Sequence, residues 1–161
     1  MAKATNKTNA MRQLDAAGIE YSFVEYDCDE DNLIGEHAAE QVGCSKDEMF
    51  KTLVARGDDK QLFVYVIPVG ANLDLKKAAA ASGNKKIEMI HVKEIFDLTG
   101  YIRGGCSPIG MKKLFPTYID ETAVLFDEIY VSGGRRGLSL KLNPDVLSEF
   151  IGAKYAAITT E

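Results

Sequence analysis

Phe50-Lys51-Thr52-Leu53-Val54-Ala55, then Gly57-Asp58-Asp59-Lys60, then Leu62-Phe63-Val64-Tyr65-Val66-Ile67: two runs of strand-forming residues flank a cluster of turn formers, which predicts a β-hairpin near the middle of the chain. Alternation along the first run puts Lys51 on one face with Leu53 and Ala55, and Phe50, Thr52 and Val54 on the other. A lysine in so apolar a strand is exposed to desolvation. Two readings of Lys51 stand side by side: a strand-end lysine that snorkels to water, or a pocket cation placed to bind phosphate or stabilise charge developing on a carbonyl oxygen.

Upstream of the hairpin, Met11, Leu14 and Ala17 recur at helical spacing, predicting a helix from about Thr8 to Ala17 with Gly18 as its left-handed cap. Ile19, Tyr21 and Phe23 alternate as in a half-buried strand, and Asp27 to Asp31 form an acidic loop. Glu36 to Val42 reads as a helix closed by Gly43, and Ser45 to Glu48 as a capping box that opens a short turn. Downstream, helices are expected over Leu73–Ser82 and Val92–Leu98, with a short strand over Lys86–Ile90 between them. Tyr118-Ile119, Ile129-Tyr130-Val131 and Leu138, Leu140 and Leu142, the last alternating with Ser139 and Lys141, read as strands. Asn143-Pro144 opens a final helix to about Phe150. With no repeat or linker, residues 1–161 are expected to form one mixed α/β domain.

Net charge is −5 at pH 7, which argues against gripping nucleic acid through the overall field. The positive charge is nevertheless paired: Lys76-Lys77, Lys85-Lys86, Lys112-Lys113 and Arg135-Arg136. These basics are either scattered solvated side chains or one basic side of the folded surface. No run reaches the roughly 18 apolar residues of a membrane span, and the first residues lack the apolar core of a secretion signal, so a cytoplasmic protein with no membrane partner is expected. Cys28, Cys44 and Cys106 are odd in number and widely spaced, indicating neither disulfides nor zinc.

Candidates for conventional hydrolytic chemistry are few. His37 lies in a helix and His91 at a helix start, and neither belongs to a nucleophile motif or to metal-ligand spacing. No metal or other cofactor is expected. Two glycine-rich segments, Gly104-Gly105-Cys106-Ser107-Pro108-Ile109-Gly110 and Ser132-Gly133-Gly134-Arg135-Arg136-Gly137, lack the Walker and Rossmann patterns. They serve either as tight turns or as places where backbone N–H groups approach a ligand closely, as in an oxyanion hole.

Five segments in this order, Phe50-Lys-Thr-Leu-Val54, Leu73-Asp-Leu-Lys-Lys77, Gly100 through Lys113, Pro116-Thr-Tyr-Ile-Asp120 and Ile129 through Leu138, resemble the YbaK-like aminoacyl-tRNA deacylases. The resemblance covers nearly the whole chain. It implies a mixed, barrel-like β-sheet surrounded by helices, like the editing domain of bacterial prolyl-tRNA synthetases. It also implies trans-editing of tRNA(Pro) mischarged with cysteine, with prolyl-tRNA synthetase as partner, since a pocket sized for proline cannot strongly reject a smaller side chain.

In that branch of the family the substrate's own thiol is thought to attack its ester, so that the protein needs no base. The resemblance places Lys51 on the family's essential lysine and Gly104, Gly105, Ser107 and Pro108 on its Gly-x-x-x-Pro loop. Tyr26, Ser132 and Gly133 fall on pocket positions. Two departures bear on the pocket: Ile34 stands where relatives carry an aromatic residue, and Ser139 where they can carry aspartate. The resemblance also leaves the paired lysines Lys76-Lys77 and Lys112-Lys113 to touch phosphates near the acceptor end. Cys106 in the glycine loop either faces the pocket or, the expected reading, is a small buried thiol. Two rival readings are an Ala-tRNA(Pro) deacylase that uses water, and a non-catalytic module that binds an aminoacyl nucleotide or a protein.

Overall fold

The computed structural model describes residues 7–26 and 35–160, with Gly35 and Glu36 described in backbone only. The acidic stretch from Asp27 to Asp31, Cys28 and Ile34 lie outside the described residues. Helix α1 (Asn9–Ala16) begins where Thr8 Oγ1 accepts the Met11 N–H, and it buries Ala10, Met11 and Leu14. Strand β1 (Ser22–Glu25) follows, then α2 (Gly35–Val42). Between α2 and the hairpin, the Ser45 N–H donates to Glu48 Oε1 at 2.9 Å, half of the expected capping box.

The hairpin forms as its sequence dictates: β2 (Phe50–Arg56) and β3 (Leu62–Pro68) pair antiparallel with Val54 opposite Val64. The turn places Asp59 and Lys60 at positive φ, 56° and 61°. Helix α3 (Leu75–Ala81) starts two residues later than its apolar pattern suggests, because Asp74 is spent as the cap, accepting the Lys76 and Lys77 N–H groups. Strand β4 is only Glu88–Met89, and α4 (Ile95–Thr99) ends at Gly100, whose φ of 87° suits glycine. Then come β5 (Thr117–Asp120), β6 (Ile129–Ser132), β7 (Leu138–Leu142), α5 (Pro144–Ile151) and β8 (Lys154–Ala156).

Two sheets result. The larger runs β4-β2-β3-β5-β8, antiparallel around β2 and parallel from β3 to β8; the smaller runs β1-β7-β6 and is antiparallel throughout. A parallel bridge between Met49 and Tyr130 joins them, the Tyr130 N–H donating to the Glu48 carbonyl at 2.9 Å. The fold is thus the expected mixed α/β arrangement, two linked sheets with helices packed around them.

The larger sheet is buried on both faces. Phe50, Val54, Val64, Val66 and Ile119 meet Val131, Leu138, Leu140 and Leu142 of the smaller sheet, together with α1 and α5. On the opposite face Ala55, Phe63, Tyr65 and Ile67 pack on Ala78 and Ala79 of α3. Burial on both sides is why these strands read as continuous apolar runs.

Two local expectations are corrected, and one strand is added. Ile19, Tyr21 and Phe23 do not share a strand: Ile19 and Tyr21 pack on the core before the chain turns into β1, and Phe23 stays 41% exposed. Ser139 alternates with the leucines of β7 yet is buried too. Strand β8 carried no sequence signal, because Lys154-Tyr155-Ala156 shows neither alternation nor β-branching and forms by adding to the edge of β5.

Candidate functional site

Strand β2 is covered unevenly along one edge. At its start the Glu48 carbonyl accepts from Tyr130, and at its end the Val54 carbonyl accepts the Ile90 N–H at 3.3 Å. Strand β4 reaches only Ala55 and Arg56. Backbone direction alternates along a strand, so the peptide groups of Phe50 and Thr52, which share a side with Glu48 and Val54, point into the gap between these two attachments.

A pocket of about 540 Å³ occupies that gap. Phe50, Lys51, Thr52, Leu53 and Val54 all line it. Five consecutive strand residues can do so only where a pocket wraps a strand edge, since their side chains alternate between faces. The remaining wall comes from Met49 and Val69, from Ile90, Val92 and Ile95 beside α4, and from Leu138 of β7.

Of the site residues expected from sequence, Lys51, Tyr26, Gly104, Ser132 and Ser139 line this pocket. Gly105, Ser107, Pro108 and Gly133 are buried and do not line it. Ser107 Oγ accepts the Ile109 N–H at 3.2 Å, and Tyr101 Oη donates to the Ile109 carbonyl at 2.6 Å, which fixes the first glycine loop. Gly133 closes the β6–β7 hairpin, its N–H donating to the Leu138 carbonyl at 2.9 Å; a side chain there would run into Leu138. The two glycine loops touch at Gly105, where a Cβ would stand 2.9 Å from the Arg135 Cα. Ser132 Oγ accepts the Gly134 N–H at 3.2 Å, and Ser139 Oγ donates to the Val131 carbonyl at 3.4 Å.

Two polar lining residues escaped the sequence reading. Arg103 stands at the mouth, and its carbonyl accepts Arg136 Nε at 2.8 Å. Thr52 Oγ1 is buried with no hydrogen-bond partner among the described residues. Strand alternation put Thr52 opposite Lys51, but nothing in its local sequence says that its hydroxyl is orphaned.

The lining is cationic and lacks bases. Lys51 and Arg103 bring positive charge, and among the described residues no carboxylate and no imidazole lines the pocket. His91 instead caps the turn before α4, its N–H donating to Glu94 Oε2 at 2.9 Å, and His37 sits on α2. Glu94 is held below the usual carboxylate range by that backbone N–H and by Arg56 at 3.1 Å. Cys106 lines the pocket, but burial pushes its thiol up to about 11, so it is protonated and a poor nucleophile at neutral pH. Among the described residues no group of three or more His, Cys, Asp or Glu could hold a metal ion.

A pocket with positive charge in its lining, no carboxylate or imidazole among the described residues and two glycine loops at its rim suits an electrophilic ester. Residues 34–150 match the aminoacyl-tRNA editing domain. The chain belongs to this family. Aminoacyl-tRNA deacylation is accordingly its reaction class, and the matched span carries Lys51, both glycine loops and the whole of β2. A protein of Enterococcus faecalis named "Putative Cys-tRNA(Pro)/Cys-tRNA(Cys) deacylase EbsC" is 48% identical over 159 residues, spanning 99% of this chain and 97% of its own. YwhH of Bacillus subtilis is 32% identical over 119 residues, 74% of this chain and 75% of its own. Among solved structures, one described as "a putative trans-editing enzyme for prolyl tRNA synthetase" superposes with a TM-score of 0.83 at 25% identity, covering 98% of this chain and 100% of that one. The editing family thus has the two-sheet arrangement described here. No helix among the described residues is long and apolar enough to cross a membrane.

Proposed function

We propose that the protein removes cysteine from mischarged Cys-tRNA(Pro), and that the substrate's own thiol is the attacking group. The observation that carries this is the pocket lining: cations and an apolar wall, with no carboxylate or imidazole among the described residues. Water attack on an ester at neutral pH calls for a general base. A substrate thiol, with an ordinary pKa near 8.5, needs much less help.

In the proposed step the cysteinyl sulfur, as thiolate, bonds to its own carbonyl carbon while the bond from that carbon to the ribose oxygen breaks. The ribose oxygen takes up the proton the thiol released, delivered through water, and the tRNA departs with a free hydroxyl. Cysteine leaves as a four-membered thiolactone that water then opens. Lys51, half-buried in the pocket wall, supplies positive charge for the developing oxyanion. Tyr26, Gly104, Ser132 and Ser139 border the aminoacyl group, and Gly105, Ser107, Pro108 and Gly133 hold the loops that present them. Ile34 completes this set from outside the described residues. The apolar wall of Phe50, Val54 and Leu138 favours a small, weakly hydrated side chain such as cysteine's.

The names of the Enterococcus protein and of the prolyl-tRNA trans-editing structure support this substrate and prolyl-tRNA synthetase as the partner. A net charge of −5 fits a protein that takes its tRNA selectivity from such a partner. The whole chain then acts as one editing domain in the cytoplasm. The test is amino-acid release from Cys-tRNA(Pro) and Ala-tRNA(Pro) by the unaltered protein and by Lys51→Ala. Cysteine release alone, lost on substitution in a protein that stays folded, supports the proposal. Equal release of alanine favours attack by water, and no release of either, with synthetase present, favours a binding module.

A further inference from the structure

The paired lysines Lys76-Lys77 and Lys112-Lys113 do not line the pocket. Lys76 and Lys77 lie on α3, behind the larger sheet, and Lys77 Nζ donates to the Thr159 carbonyl at 3.0 Å. Lys112 Nζ donates to the Asp97 carbonyl at 3.1 Å and lies 5.6 Å from the centre of the Phe96 ring. An arginine lines the pocket instead. The first glycine loop brings Arg103 to the mouth, exposed. The second brings Arg136, whose Nε donates to the Arg103 carbonyl at 2.8 Å and so braces the backbone that carries Arg103. Arg135 is turned the other way, toward Glu25 at 3.4 Å. The crossing depends on Gly105, since any side chain there would meet the Arg135 backbone.

Arg103, exposed at the mouth of a pocket that is itself lined by Lys51, brings positive charge to the opening in a chain whose net charge is −5. On the proposed function, an aminoacyl group inside the pocket leaves its ribose at the mouth. The first anion the chain then meets is the phosphodiester joining the terminal adenosine to the nucleotide before it. We infer that Arg103, its backbone braced by Arg136, clamps this phosphodiester, a positioning site that holds the acceptor end while the ester lies beside Lys51. Arginine's planar fork suits a phosphate better than the paired lysines would.

The inference rests on the editing reading but is tested apart from it. Two substrates are compared at several salt concentrations: Cys-tRNA(Pro), and cysteinyl-adenosine, which keeps the ester and lacks the phosphodiester. Arg103→Ala is expected to raise KM for the charged tRNA about tenfold, the scale of one charged hydrogen bond, with kcat changed much less. The effect on cysteinyl-adenosine should be at least fivefold smaller, Arg103→Lys should fall between, and the salt dependence of KM for the tRNA should flatten by about one unit of slope. Arg103 is exposed, so its truncation should not disturb folding, and an unchanged melting temperature checks this. Equal losses on both substrates, or an unaltered KM and salt slope, would overturn the clamp while leaving the editing reading intact. Failure of the unaltered protein to cleave either substrate would overturn the editing reading itself.

Discussion

Gly105 lies so close to Arg135 that a Cβ on it would come within 2.9 Å of the arginine's Cα and carbonyl carbon, backbone that cannot swing aside. The two glycine loops therefore meet at a point that admits no side chain, and the pocket's rim is built on that contact.

Gly105→Ala is expected to push the loops apart. Overpacking of this kind costs about 1–3 kcal/mol. Deacylation should fall more than stability does, because Gly104 and Arg103 on one loop and Ser132 at the base of the other all border the pocket. Urea titration beside initial rates on Cys-tRNA(Pro) checks this. An active, fully stable variant would show that the loops can separate without consequence.

Thr52→Val replaces an orphaned buried hydroxyl with a methyl of similar shape. An unsatisfied buried polar group costs about 1–3 kcal/mol, so the variant should be at least as stable as the unaltered protein. If the hydroxyl is kept for the substrate, its rate on Cys-tRNA(Pro) should nevertheless fall. A stability gain with unchanged kcat/KM would mean that Thr52 serves only to fill space.

Cys106 gives a pH signature of folding. Burial raises its thiol from 9.0 to about 11, so between those values the unfolded chain has released a proton that the folded chain retains. Stability from this group is complete below pH 9 and declines as pH rises toward 11. The melting temperature should drop more from pH 8 to pH 10 in the unaltered protein than in Cys106→Ser. Identical drops would contradict the burial of the thiol.

Catalysis should show a different profile. With no base in the described lining, the rate on Cys-tRNA(Pro), corrected for spontaneous hydrolysis, should rise about tenfold per pH unit and level near the substrate thiol's pKa of about 8.5. An inflection near 6.5 would instead reveal an imidazole at work.

Much of this was legible in the sequence because local signals agreed with the final packing. The hairpin from Phe50 to Ile67, the Asn143-Pro144 helix start and the glycine caps at Gly18 and Gly43 rest on short-range rules that tertiary structure left undisturbed. Strand β8 and the exposure of Phe23 were illegible, since each depends on which edge a short segment finds.

The site divides in the same way. Lys51 stands out as a charge within an apolar strand. Thr52's missing partner, the wrapping of the pocket around the β2 edge and the anchoring of Arg136 on Arg103 arise from segments far apart in the chain meeting in space. Alternation also assigned Ser139 a face without revealing that both faces there are covered.

Serine and cysteine differ by one atom, so the central claim is tested most directly by timing deacylation of the same tRNA(Pro) charged with each. Attack by the substrate thiol predicts cysteine release at least about a hundredfold faster than serine release, as expected when a reacting group held in place is lost. Release of both at similar rates would contradict it and place the attacking group in water or in the protein.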